Sequence, residues 1–145
     1  MSVFSWPARV YWEDTDGGGI VYYANYLRFL ERARTEWLRA RGHSQLQLAR
    51  DRGIVFTVVS LSVDYRAPAR LDDELRITCE PQSEGAASLR FAQRIYRSAH
   101  AAGRAPDLLL EANVRVACVD ARTMRPQRLP EFLADAVAAE AAGSG

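Results

Sequence analysis

The chain has 145 residues, 48% of them apolar and 26% charged, the composition of one globular domain and not of a disordered segment or a coiled coil. Nineteen basic residues against eighteen acidic ones leave a net charge of +1, which argues against a dedicated nucleic-acid binder and against a polybasic membrane anchor. Lys is absent, so chemistry that needs a Lys Schiff base or a phosphate-loop lysine is excluded.

A domain of this length buries roughly 70% of its unfolded surface and folds without a disulfide or a metal. Cys79 and Cys118 both fall in apolar runs and read as small buried residues of a reducing compartment. Residues 1–10 lack the apolar core of a signal peptide, and no run reaches the roughly 18 apolar residues of a membrane span. A cytoplasmic protein without membrane insertion is expected. Residues 1–133 read as one domain, and the Ala/Gly-rich residues 134–145 as a tail ending in a fraying helix.

Pro7 to Asp14, carrying Val10, Tyr11 and Trp12, suits a first strand. Gly17, Gly18 and Gly19 then break it. From Val21 the period changes, and Tyr23, Tyr26, Leu27, Leu30, Ala33, Trp37 and Leu38 recur at three- and four-residue steps, one apolar face of a long helix. Glu31, Arg34 and Arg41 lie off that stripe or at its edge, and Gly42 stands where a helix-ending glycine belongs. Ser44-Gln45-Leu46-Gln47 has the form of a capping box opening a short helix that ends near Gly53.

Only strands follow before the tail. Ile54 to Tyr65 is rich in β-branched and aromatic residues. Leu75, Ile77 and Cys79 alternate with Arg76, Thr78 and Glu80. Leu89, Phe91 and Ile95 share one parity against Arg90 and Arg94, and Ala112, Val114, Val116 and Cys118 share another. Gly85 and Gly103 fall in turns. Helices grouped in one block among consecutive strands predict an antiparallel sheet packed on one long helix, an α+β layer.

Chemically useful groups concentrate in residues 14–23. A carboxylate and three glycines precede a helix start, where unpaired N–H groups and the positive dipole end gather. Glycines admit a substrate close to the backbone, and first-turn amides can polarise a carbonyl. That combination suits acyl hydrolysis with the carboxylate as nucleophile or general base. The same residues also read as an ordinary helix cap and an ordinary turn. A calcium loop starting at Asp14 fails, because its fifth and twelfth positions are Gly18 and Asn25. A dinucleotide fingerprint through Gly17 and Gly19 fails at Tyr22. His43 and His100 lie in turns, read as surface residues, and supply neither a metal cluster nor a serine triad.

Arg9 to Asp16 (RVYWEDTD), Gly19 to Tyr23 (GIVYY) and Asn25-Tyr26 together resemble the opening of the hotdog-fold 4-hydroxybenzoyl-CoA thioesterase family. Phe29 to Leu38 (FLERARTEWL), Val63 to Asp73 (VDYRAPARLDD) and Phe91 to Ile95 (FAQRI) are similar to the Tol–Pal-associated acyl-CoA thioesterases within it. The resemblance covers about residues 5 to 133. It implies a hotdog fold, a long central helix wrapped by an antiparallel sheet, with dimers joined edge to edge, commonly paired into tetramers, and active sites at the subunit interface. It implies no cofactor and no metal.

On the matching positions the resemblance makes Asp16 the catalytic carboxylate and Tyr23 the donor of a backbone N–H to the thioester carbonyl. Gly19, in the glycine loop, is a substrate-binding candidate; Asp14 matches the family pattern and is assigned a supporting role; and in the family the strand carrying Phe56 and Val58 lines the acyl pocket from the partner subunit. Close relatives often carry His at the position of Tyr23. The basic cluster that grips CoA phosphates in the benzoyl-CoA enzymes is missing near Ala87-Ser88-Leu89, so Arg125 and Arg128 are expected to contact phosphate instead. The expected reaction is hydrolysis of an acyl-CoA to free acid and CoA. A hotdog dehydratase would want a His beside a carboxylate. A non-catalytic scaffold binding acyl groups or acyl carrier protein, linked to the Tol–Pal system and lipid metabolism, is the alternative.

Overall fold

Alternation in the strand sequences maps directly onto burial. Leu75, Ile77 and Cys79 are buried and Arg76 is exposed; Leu89, Phe91 and Ile95 are buried and Arg90 and Arg94 are exposed. Side chains of a strand alternate between faces, so each of these strands covers a core with one face only. The computed structural model describes residues 3–99 and 105–144. Strands β1 (Phe4–Arg9), β2 (Ile54–Tyr65), β3 (Glu74–Gly85), β4 (Ser88–Arg97) and β5 (Asp107–Asp120) form one antiparallel sheet in the order β1-β3-β4-β5-β2. Helix α1 (Tyr26–Ala40) packs against β1 and β3, the short helix α2 (Gln45–Arg52) against β2, and α3 (Glu131–Ser144) against β3. This is the α+β layer expected.

The α1 stripe is the centre of the core. Phe29, Leu30, Ala33 and Trp37 are almost fully buried and meet the inner faces of β3, β4 and β5; the Trp37 and Phe91 rings sit edge to face at 5.5 Å. Each large side chain so buried contributes about 1.5–3 kcal/mol. At the far end of α1, Trp37 Nε1 donates to Glu140 of α3 at 2.7 Å, and Arg41 pairs with the same carboxylate while lying over the Trp37 ring. That contact seats α3 on the helix, with Leu133 and Val137 buried beneath it.

Two boundaries differ from the sequence reading. The first strand is Phe4–Arg9 and not residues 7–14, because Asp14 reaches back to accept from Tyr11 N–H at 2.8 Å and bends Trp12–Asp14 into a 3₁₀ turn. The long helix begins at Tyr26 and not at Val21: Val21 N–H is taken by the Ala69 carbonyl, and Tyr23–Asn25 forms a 3₁₀ turn leading into α1. The ends of α2 fall where expected. Ser44 Oγ accepts from Gln47 N–H to start α2, and Gly53 ends it at φ 65°. Gly85 enters the β3–β4 turn, whereas Gly103 and His100 lie outside the described residues.

Strand β2 is an edge. Its middle is open, with Val58, Val59 and Leu61 all more than 40% exposed, and the ladder to β5 breaks register between Val58 and Ser60.

Candidate active site

Loop 14–23 is a small hairpin built on the end of β1. Thr15 bridges Val21, Asp16 N–H donates to the Ile20 carbonyl at 2.9 Å, and the three glycines form the tip. Gly19 sits at φ +81°, a conformation that side chains with a Cβ avoid. Asp16 Oδ1 accepts from Gly18 N–H at 2.7 Å, an Asx turn that fixes the carboxylate at the tip. A Cβ on Gly18 would stand 3.2 Å from that same oxygen, so the close approach depends on glycine there.

Asp14 joins this hairpin to the helix. It is buried, its Oδ1 accepts from Asn25 Nδ2 at 3.0 Å, and its carbonyl accepts from Tyr22 N–H at 3.0 Å. Ile20 bridges Arg70 and so ties the loop to the segment between β2 and β3. These bonds bring Asp16 to the start of the helical run. Its charge is felt at the Tyr26 phenol, which burial pushes above its ordinary value while its bond to Ala69 N–H and the Arg97 guanidinium pull it down; Asp73 and then Asp16 add smaller upward effects.

Tyr23 is the first residue of the 3₁₀ turn that leads into α1, and its carbonyl accepts from the Tyr65 hydroxyl at 2.8 Å. The first amides of a helical turn have no intrahelical acceptor, and the dipole of the following helix adds partial positive charge there. The loop therefore carries an exposed carboxylate and a glycine tip and runs directly into the first turn of the helical segment. Such a constellation can present a nucleophile or base on one side of a carbonyl and hydrogen-bond donors on the other.

Phe56 and Val58 lie elsewhere, on β2, where with Trp37 and Leu133 they line a cavity of about 150 Å³ under the second half of α1. Arg125 and Arg128 are exposed in the loop after β5. The Arg125 carbonyl accepts from Asp120 N–H, and Ala121 N–H donates to the Gly53 carbonyl, so this loop adjoins the start of β2. Tyr65, at the other end of β2, adjoins Tyr23. Twelve residues of strand span about 36 Å at roughly 3.3 Å each. Within one chain, then, Asp16, Gly19 and Tyr23 share one loop, and Arg125 and Arg128 lie on another, at the opposite end of β2.

Three residues of this region escaped the sequence reading. Asn25 and Tyr65 anchor the loop and the helical turn, and nothing in their spacing announces it. Gln93 is almost fully buried in β4, and its signal was present: a polar residue on the apolar parity of Leu89, Phe91 and Ile95. Its amide donates to the Leu30 and Thr78 carbonyls, and its Oε1 accepts from Arg34 Nη1 at 3.0 Å.

Residues 18–103 match the Thioesterase superfamily. The chain is 48% identical over 132 residues to the acyl-CoA thioester hydrolase YbgC of Escherichia coli, covering 91% of this chain and 93% of that one. It is 43% identical over 128 residues to the acyl-CoA thioesterase YbgC of Haemophilus influenzae, covering 88% and 89%. Among solved structures, a 1,4-dihydroxy-2-naphthoyl-CoA thioesterase from Synechocystis superposes with a TM-score of 0.83 over 94% of this chain and 96% of that chain; at 23% identity the likeness is one of fold.

Proposed function

This chain belongs to the thioesterase superfamily and has its hotdog fold, and from that premise we propose that it hydrolyses acyl-CoA thioesters to a free carboxylic acid and CoA. The observation that supports the reading is the exposed Asp16 carboxylate, held in an Asx turn at the glycine tip of the loop that leads into the helical run. Gly19 lets the thioester approach the backbone, and Tyr23 N–H donates to its carbonyl oxygen. As the tetrahedral species forms, negative charge collects on that oxygen, where the amide and the helix dipole stabilise it more than they stabilise the ground state.

Two routes share this geometry. In one, an Asp16 oxygen attacks the thioester carbon, the C–S bond breaks to release CoA thiolate, and water hydrolyses the resulting mixed anhydride to regenerate Asp16. In the other, Asp16 removes a proton from water as the water oxygen attacks, and the same C–S bond breaks. A single turnover in isotopically labelled water separates them: when water attacks the Asp16 carbonyl of the anhydride, the label stays on the Asp16 side chain and the released acid carries the former Asp16 oxygen, whereas the second route puts the label into the product acid at once.

The open edge of β2 supports a homodimer. Two antiparallel copies of this strand, related by a two-fold axis near its exposed middle, extend the sheet across both subunits. The start of one β2 then faces the end of the other. Arg125 and Arg128 of the partner subunit, remote from Tyr23 within a chain, come to the same end as Tyr65, where they can pair with CoA phosphates. Phe56 and Val58 move toward the partner's helix start by the same operation. Pairing of dimers into a tetramer follows the family, as does a cytoplasmic location. Among the described residues no helix is long and apolar enough to cross a membrane.

Thiol release from a panel of acyl-CoA and acyl-carrier-protein thioesters, with wild type and Asp16→Asn side by side, tests the reading. Saturable turnover that falls at least about a hundredfold in the variant, close to 3 kcal/mol of barrier, supports it. A folded wild type that binds acyl groups but turns none over transfers the role to an acyl-binding scaffold of the Tol–Pal system. Turnover indifferent to Asp16 removes that residue from the mechanism.

A further inference from the structure

The cavity under α1 is apolar on most of its surface. Trp37, Leu89, Phe91, Val116 and Leu133 form its buried wall, and Phe56 stands nearer the mouth on β2. One cation faces it: Arg34, half-buried on α1. The guanidinium is fixed from behind. Gln93 is locked by its amide to two backbone carbonyls, which leaves its Oε1 to accept from Arg34 Nη1 at 3.0 Å. A guanidinium carries five N–H donors, and this contact uses one.

The nearest acid on the same helix does not neutralise it. Glu31 Oε1 accepts from the Thr35 hydroxyl at 2.9 Å, and Thr35 in turn accepts from Gln45 Nε2 at 2.8 Å, so a side-chain relay holds Glu31 at the rim. Among the described residues, Arg34 has no carboxylate within ion-pair distance. Burial disfavours its charged form and outweighs the opposing effects of Cys79 and Glu31. A cation held in an apolar cavity against a neutral amide is costly unless something anionic joins it.

We propose that this cavity receives the distal end of the acyl group and that Arg34 selects acyl chains ending in a carboxylate. This deepens the thioesterase reading and rests on it. A planar carboxylate matches the guanidinium fork with two parallel hydrogen bonds, and its charge is the complement the site lacks. The size agrees: a cavity of about 150 Å³ accommodates a benzene ring, roughly six heavy atoms. Three methylenes and a carboxylate, the distal part of a glutaryl group, have the same count.

The test compares glutaryl-CoA with its isostere, the branched acyl-CoA in which an isopropyl group replaces the carboxylate. In wild type, glutaryl-CoA is favoured at least tenfold in kcat/KM. Arg34→Met inverts the preference through KM, leaves kcat for the isostere unchanged and retains the wild-type melting temperature to within a few degrees. Arg34→Lys, which keeps the charge without the fork, falls between. Calorimetric titration with free glutarate reads the cavity without turnover: wild type binds it and Arg34→Met does not. Equal kcat/KM for the two thioesters in wild type, or an Arg34→Met variant that loses both alike, overturns the assignment while leaving the thioesterase reading intact. Absence of turnover on both thioesters, with glutarate binding retained, sinks the thioesterase reading and keeps the carboxylate site. Absence of glutarate binding to wild type overturns the site itself.

Discussion

Asp14 Oδ1 accepts from Asn25 Nδ2 at 3.0 Å, a buried bond that fastens the loop before the helix to the residue from which α1 departs. Two residues on, Asp16 has the opposite setting: exposed, bonded only within its own turn, and anchored to nothing distant. One carboxylate fastens the loop and the other stands exposed at its tip.

The two aspartates therefore separate on different axes. Asp14→Ala leaves the Asn25 amide and the Tyr11 N–H without their acceptor and costs about 1–3 kcal/mol. Asp16→Asn leaves stability within about 0.5 kcal/mol of wild type, as surface changes do, and removes turnover. Urea unfolding beside steady-state kinetics on both variants checks this, and a large stability loss in Asp16→Asn would contradict it.

The glycines of the tip are not equivalent. Gly19 has a left-handed backbone, so Gly19→Ala costs about 1–2 kcal/mol and displaces the Asp16 carboxylate. An added Cβ at Gly17 meets nothing within 4 Å, and Gly17→Ala is expected to retain both stability and rate. Equal losses in the two variants would show that the tip is governed by something other than local backbone geometry.

The Tyr26 hydroxyl accepts from the Ala69 N–H at 3.0 Å in a buried position. Tyr26→Phe orphans that amide, at about 1–3 kcal/mol. Burial, partly offset by the Ala69 bond and Arg97, raises the Tyr26 phenol above its ordinary value. A group raised in the folded state contributes stability that is intact below its unfolded value near about 10 and is lost as the pH climbs through the folded one. Urea midpoints measured across the alkaline range should fall for wild type and fall less steeply for Tyr26→Phe.

Dilution tests the open edge. Placing a charge at its centre, Val59→Glu, should leave the protomer folded, since Val59 is half exposed, but shift sedimentation to the monomer and remove turnover if the phosphate-binding arginines come from a partner. Full activity in a monomeric variant would confine the site to one chain.

Local signals were legible wherever local bonds decide. Strand β2 could be bounded at Ile54 and Tyr65 because a β-branched run follows the left-handed Gly53, and α2 could be started at Ser44 because its hydroxyl caps its own turn. Tyr11 and Trp12 have the look of strand residues, yet both stand exposed on a turn bent by Asp14. Tyr23 continues the α1 spacing through a 3₁₀ turn, so the spacing alone places the helix start too early. Arg34 and Gln93 could be seen as polar residues in or beside apolar stripes, but their pairing across helix and sheet depends on packing that no spacing encodes. The distance from Arg125 to Tyr23 is likewise a property of the sheet, not of either segment.

The Ile20–Arg70 bridge has a consequence for the order of events in folding. The β3–β4 hairpin joins neighbours in sequence, and such hairpins close in about 1–10 μs. The bridge holding the Asp16 loop spans α1, α2 and the whole of β2, and the β1–β3 ladder beside it spans more, so both wait on distant segments to meet. In a refolding experiment the burial of Trp37, read by its fluorescence, should run ahead of regained turnover: the molecule acquires its interior first and its chemistry last.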